Sequence, residues 1–245
     1  MNYKNQKGIK WLSIKDDDEI IAGFSTRNGG FSKDNYNGLN IGLNTKDSKS
    51  DIHKNRTLLF STIAPSMQII HLNQTHSNII HSIDSDNFKV FSDGDGLITT
   101  LKNKLLCITI ADCGSVLFHD EQNSVACAIH CGWKGTKDGI IQSALDLLSD
   151  YTDLSTIHAY VGPMIRCMSY EVGKEFLNYF DSEYFKEQNG KLYFDLNQVI
   201  ISKLFRANLA SITDCGIDTF TSPDTYYSHR YNNNTGRMCA FIGLK

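Results

Sequence analysis

The stretch from Cys107 to Gly135, CITIADCGSVLFHDEQNSVACAIHCGWKG, constrains this chain more than any other. Residues 105–111 and 124–130 are short apolar runs bounded by polar groups, the pattern of buried strands. The first hands over to Asp112-Cys113 and the second ends at His130, followed by Cys131-Gly132-Trp133-Lys134-Gly135. Between them Val116-Leu117-Phe118 makes a third short run, and residues 119–123 read as a polar turn. A thiol and an imidazole set where strands give way to loops are placed for chemistry, because a rigid sheet holds them while the loop admits a substrate. A buried cysteine and a hydrogen-bonded histidine fit the same stretch. Site and structure both remain open on these residues alone.

Composition narrows the class. A length of 245 residues fits one domain, 1–245, and 41% hydrophobic with 21% charged residues is an ordinary globular balance. A net charge of −3 with no basic block argues against a surface that tracks nucleic-acid phosphates. No apolar run approaches the roughly 20 residues of a membrane span. The first residues, MNYKNQKGIKWLSI, lack the apolar core of a signal peptide, so a cytoplasmic protein is expected. Seven scattered cysteines without a CxxC pair suggest neither a disulfide framework nor a zinc knuckle.

In chain order, residues 20–25 predict a strand that runs into Thr26-Arg27-Asn28-Gly29-Gly30, and residues 26–46 read as loop. Residues 51–63 predict a helix capped by Ser50 or Asp51, with Arg56 on its polar side. Residues 68–72 predict a strand leading to Asn73-Gln74-Thr75-His76-Ser77, after which residues 79–81 resume an apolar pattern. Phe91 to Ile98 holds an Asp-Gly turn that is only a faint calcium-loop likeness. Residues 138–149 form the clearest helical stripe. Further helices are expected at 170–180 and 196–209, and strands at 156–161, 214–221 and 238–244. With no repeat and no linker, the mixture predicts a single-domain layered α/β sandwich, a mixed β-sheet with flanking helices.

His76, Cys113 and His130 are three potential metal donors far apart in sequence. Two imidazoles and one thiolate suit a zinc that keeps a position open for water or substrate. They suit a single copper as well. Cys113 paired with either imidazole is equally allowed as a nucleophile and base.

The chain resembles the YfiH-type "laccase-domain" family over nearly its whole length. The likeness rests on Phe24-Ser25-Thr26-Arg27-Asn28-Gly29-Gly30, Gly38-Leu39-Asn40-Ile41-Gly42, Asn55-Arg56, Gln74-Thr75-His76, Asp95-Gly96-Leu97-Ile98-Thr99, Ala111-Asp112-Cys113, Ile129-His130-Cys131-Gly132-Trp133-Lys134-Gly135, Tyr170-Glu171-Val172-Gly173 and Gly236-Arg237. The order and spacing of these pieces carry the resemblance. It implies a three-layer α/β fold and a zinc site of His76, Cys113 and His130. It also implies phosphorolysis of adenosine, inosine and S-methyl-5'-thioadenosine, with phosphate as co-substrate and adenosine deamination as a side activity. Ser77 replaces the usual Gly, Cys131 and Lys134 the usual Ala and Arg, and Asn44 stands where a His is common. Residues 166–169 replace a stretch that normally carries paired cysteines.

Within that reading Asp112 is the candidate proton carrier, or else a capping carboxylate that orients a histidine. Arg56, Lys134 and Arg230 are the candidate phosphate cations, with Asn40 on the substrate side. The alternatives are a metal-free cysteine hydrolase (Cys113 nucleophile, His130 base), a copper polyphenol oxidase, and a binding module with a vestigial site. A multicopper cluster consumes many imidazoles, and of eight histidines His53, His71, His81, His119 and His158 fall outside the motifs or the closing loop. Laccase chemistry is therefore disfavoured.

Overall fold

The computed structural model describes residues 1–85, 89, 91–122 and 124–245. The strands are β1 (Asn2–Gln6), β2 (Ile9–Asp16), β3 (Ile20–Ser25), β4 (Gln68–His71), β5 (Ile80–Ile83), β6 (Gly96–Thr99), β7 (Lys104–Ile110), β8 (Gly114–Asp120), β9 (Ala126–Cys131), β10 (Ile157–Val161), β11 (Glu171–Val172), β12 (Phe185–Gln188), β13 (Lys191–Phe194), β14 (Ser211–Asp214) and β15 (Met238–Leu244). The helices are α1 (Lys49–Ile63), α2 (Trp133–Lys137), α3 (Ile140–Ser149) and α4 (Leu196–Phe205).

Among the described residues the strands form three sheets. One runs β1-β2-β3-β15-β7-β4, another β14-β10-β8-β9-β6-β5, and a small one β11-β13-β12. Both large sheets are mixed. The first is antiparallel except for β4 against β7, and the second is parallel only at its two edge pairs.

The near-continuous apolar runs exist because both faces of each large sheet are covered. Along β15, Met238, Ala240, Ile242 and Leu244 pack into the core between the sheets, while Cys239 and Phe241 face α1. Along β9, Ala126 and Ala128 face inward, and Cys127, Ile129 and Cys131 face α3 and α4. This period-2 division yields the order helix, sheet, sheet, helices. The layers number four rather than the three implied by the resemblance.

Several element expectations are corrected. The stripe at 138–149 is helix α3 from Ile140, preceded by the separate short α2, because the chain turns between them at Gly139 with a left-handed φ of 97°. Cap Ser48, not Ser50 or Asp51, accepts from Asp51 N at the start of α1. Residues 170–180 are not a helix. They contain β11 and a 3-10 turn, and Tyr170, Phe176 and Phe180 cluster on Phe194, with ring centroids 4.5–5.8 Å away. The strand expected at 214–221 lies at Ser211–Asp214, since Gly216 turns the chain with φ 70° and donates to Asp214 Oδ1. In the polar turn, His119 and Asp120 belong to β8 and are buried. Asp120 Oδ1 closes the turn by accepting from Ser124 N and Val125 N. Asn123 lies outside the described residues.

Candidate active site

Cys113 sits where the chain leaves one large sheet, at the end of β7, and enters the other at β8. That crossing is sharp, and Asp112 adopts a left-handed φ of 85°, a conformation Asp tolerates better than most residues. Asp112 Oδ1 accepts from Thr219 Oγ1 at 2.6 Å and Oδ2 from the backbone N of Arg230 at 2.6 Å. Both oxygens are thus engaged in holding loops. Asp112 lines the cavity and clamps the crossing, with both of its oxygens accepting hydrogen bonds.

His130 is the penultimate residue of β9, and His76 lies in the loop after β4 with φ 58°. The donor atoms of His76, Cys113 and His130 all lie within 4.8 Å of one another. The two imidazoles meet edge to face at 4.8 Å. Gly132 permits the approach: a Cβ there would stand 2.6 Å from His76 Nδ1 and 3.4 Å from Cys113 Sγ.

The carboxylate that orients a histidine is Asp95, read from sequence as part of a turn and of a family motif but not as a site residue. Its Oδ1 pairs with His130 Nδ1 at 2.8 Å and its backbone O accepts from His130 N at 2.7 Å. That contact leaves His130 Nε2 for the cluster. Asp95 Oδ2 accepts from Thr75 N at 3.1 Å, Ser77 N at 2.6 Å and Ser77 Oγ at 2.8 Å, wrapping the His76 loop around one buried carboxylate. Burial alone would raise the Asp95 carboxyl, but His130 and the Ser77 donors hold it at about 2. Burial alone would lower His130, yet the neighbouring Cys113 and Asp95 bring it up to about 9. His76 is lowered by burial and by the charge of His130. Two imidazoles, that of His130 braced by Asp95 and that of His76 carried on a loop tied to the same carboxylate, face a half-buried thiol, a donor set that suits a zinc or copper ion. The residues fit such a group.

The cluster opens into a cavity of about 810 Å³. Arg56, Arg230 and Arg237 line it, and Asp112 is its one carboxylate among the described lining residues. Arg56 donates to Ile41 O at 3.2 Å and meets His71 Nε2 at 2.5 Å. Arg230 donates to Glu171 O at 2.7 Å and lies 5.2 Å over the Tyr170 ring. Trp133, Tyr170 and Phe91 add aromatic surface, and Asn44 is also on the wall.

Two expected substrate contacts are not there. Lys134 is exposed in α2 and does not line the cavity, although its charge helps lower the pKa of His76. Asn40 is buried and fully engaged: Nδ2 donates to Thr45 Oγ1 and Asp47 Oδ2, and Oδ1 accepts from Gly42 N and Arg237 N. His71, set aside in the sequence, is on the cavity wall, its ring stacked on Phe91 at 5.9 Å. Cys131 points into the core, so the substitution there leaves the donor set alone. Arg166 and Ser169 bind Asp214 and Asp218 instead of forming part of the cavity.

Fold and site together define a four-layer α/β sandwich with a two-histidine, one-cysteine corner at the crossing between its sheets. The chain belongs to the family described as multi-copper polyphenol oxidoreductase laccase, whose profile matches residues 21–245. A purine nucleoside phosphorylase of Clostridium acetobutylicum is 34% identical, covering 99% of each chain. Purine nucleoside phosphorylase YlmD of Bacillus subtilis is 30% identical over 93% of this chain and 89% of its own. The crystal structure of YlmD from Geobacillus stearothermophilus superposes with a TM-score of 0.88 at 26% identity, covering 99% of this chain and 98% of that one.

Proposed function

We propose that this chain is a zinc-dependent purine nucleoside phosphorylase, folded as one domain, acting on adenosine, inosine and S-methyl-5'-thioadenosine. One observation carries the reading: in a protein of net charge −3, three arginines and a single engaged carboxylate surround the His76, Cys113, His130 corner. Such a wall favours a dianionic co-substrate beside an uncharged nucleoside. The names of the relatives point the same way.

His76, Cys113 and His130 would hold the metal, and zinc bound there supplies a Lewis acid and activated water. The arginines bind and orient HPO4²⁻ against the sugar. A phosphate oxygen bonds to C1′ as the C1′–N9 bond breaks, and the bonding pair leaves with the purine. The phosphate proton ends on that purine, so inosine gives hypoxanthine and ribose 1-phosphate. Trp133 and Tyr170 offer flat surfaces for the base. Burial raises the Tyr170 phenol, which keeps its proton and can donate a hydrogen bond. Deamination of adenosine is the side reaction of the same corner.

A second reading has one observation in its favour. Cys113, His130 and Asp95 also stand in the order nucleophile, base, orienting acid, the arrangement of a metal-free cysteine hydrolase. Incubating the metal-loaded protein with inosine, with and without phosphate, separates the two. Ribose 1-phosphate formed only with phosphate supports phosphorolysis. Free ribose formed equally well without phosphate contradicts it. Copper in place of zinc is read by elemental analysis of the same sample. A multicopper oxidase is disfavoured, because among the described residues only His76, Cys113 and His130 gather as a metal-type group.

A further inference from the structure

Two sequence motifs, Gly38 to Gly42 and Gly236-Arg237, contribute no donor to the metal corner, yet they meet at the cavity wall. Arg237 N donates to Asn40 Oδ1 at 2.8 Å, and Arg237 O accepts from Ile41 N at 3.2 Å. Gly42 leaves room for the arginine stem. A Cβ on Gly42 would lie 2.6 Å from Arg237 Cγ and 2.9 Å from Cβ, close to the backbone where the side chain cannot swing away. Asn40 Oδ1 also accepts from Gly42 N at 3.0 Å, so one buried amide fixes both the loop and the arginine backbone. Asn55 ties the same loop from beneath, donating to Asn40 O at 2.9 Å.

The guanidinium these residues aim is held on one side only. Arg237 Nη1 donates to Thr235 O and Gly236 O, both at 2.9 Å. Among the described residues Nε and Nη2 have no hydrogen-bond partner, and no carboxylate pairs with the group. Arg56, by contrast, already has His71 and Ile41 O on its two terminal nitrogens, and Arg230 is exposed. Arg237 is half-buried, and loss of water lowers its pKa, while the charges of Cys113 and Asp112 are felt at it. A half-buried cation with no carboxylate in direct contact among the described residues, and two nitrogens still free to donate, is completed by an anionic ligand.

We propose that Arg237 is the residue that grips phosphate, and that Asn40 and Gly42 are positioning residues that aim its guanidinium. This rests on the phosphorylase reading for the identity of the anion as co-substrate. It gives Asn40 a new place, as a positioning residue behind the arginine in place of a substrate contact.

The test uses the full-length, metal-loaded protein with inorganic phosphate as probe. Phosphate binding is measured by calorimetry without nucleoside, and KM is measured separately for phosphate and for inosine. Arg237→Gln is expected to weaken phosphate about 30-fold, which is about 2 kcal/mol at 1.4 kcal/mol per tenfold. KM for inosine stays within about twofold, since the nucleoside does not need that charge. Arg237→Lys recovers part of the loss, because it keeps the charge but not the fork. Gly42→Ala weakens phosphate with zinc content unchanged, and it carries the test if Arg237→Gln does not fold. Unchanged phosphate affinity in Arg237→Gln overturns the inference, as does a wild-type protein that binds no phosphate. A KM for inosine that rises in step with that for phosphate also overturns it. Failure here is distinguishable from failure of the proposed reaction. Phosphorolysis with unaltered phosphate affinity in the variant removes only the role of Arg237. Arginine-dependent phosphate binding without phosphorolysis removes only the reaction.

Discussion

The two walls of the cavity are built on opposite rules. At the metal-type corner one buried carboxylate does the bracing: Asp95 takes hydrogen bonds from the His130 ring and from Ser77 and Thr75 on either side of His76. At the arginine wall, backbone carbonyls hold Arg56, Arg230 and Arg237, and no carboxylate pairs with them among the described residues. A metal site needs donor atoms fixed to a fraction of an ångström, so Cys113 and His130 sit at strand ends and the outer nitrogen of His130 is satisfied by Asp95. An anion site needs charge left over, so its cations are held by groups that do not neutralise them. The difference teaches where each kind of damage should appear.

The corner should break hardest. Cys113→Ser, His76→Ala and His130→Ala are each expected to remove zinc, an effect larger than the about 10- to 100-fold of losing an orienting partner. Full zinc occupancy in all three, read by elemental analysis, would contradict a shared site. Asp95→Asn should show the orienting effect itself, an about 10- to 100-fold loss of zinc affinity with the three donors present. An unchanged affinity would mean that the bracing is incidental.

The back of the arginine wall makes a smaller claim, on stability. Burial and the charge of Arg56 lower His71 to about 3, so it is neutral in the folded state at any pH above that value. The unfolded chain takes up its proton near 6.5, so His71 favours folding fully above that pH and loses its contribution as pH falls toward 3. Between pH 7 and 5 this amounts to about 2 kcal/mol. Denaturant melts of His71→Asn should show that much less acid sensitivity, and an equal slope would rule out a neutral His71. The smallest effect is far from both walls. Asp214→Asn breaks the paired contacts to Arg166, 2.6 and 2.7 Å long, and should cost about 1 kcal/mol with zinc content untouched. A loss of zinc there would couple the outer loops to the corner.

What the sequence revealed follows the same division. Strands at 20–25 and 238–244 were readable because sheets covered on both faces demand unbroken apolar runs. The three donors stood in motifs, at the ends of such runs. Asp95 was not readable as a partner, since its role depends on a contact with His130 across 35 residues. Residues 170–180 misled because aromatic residues at helical spacing also suit a cluster on Phe194. Lys134 and Asn40 were chosen by motif, but one is exposed on α2 outside the cavity lining and the other faces inward to the loop it ties. Arg237 was visible only as a closing motif; its proposed role rests on Nε and Nη2 being left without a partner among the described residues, which no sequence pattern displays.

The claim at the centre of this account is that Cys113 serves as a metal donor and not as a nucleophile. Iodoacetamide labelling, read by peptide mass spectrometry before and after chelation, addresses it directly, with inosine cleavage followed on the same samples. Coordination ties up the sulfur, so Cys113 should label slowly in the loaded protein and faster once the metal is stripped. Activity should fall with the metal and return with zinc, and buried Cys131 should stay unlabelled throughout. Rapid labelling of Cys113 from the start, in protein that remains active after chelation, would contradict the metal site and make Cys113, His130 and Asp95 a hydrolytic triad.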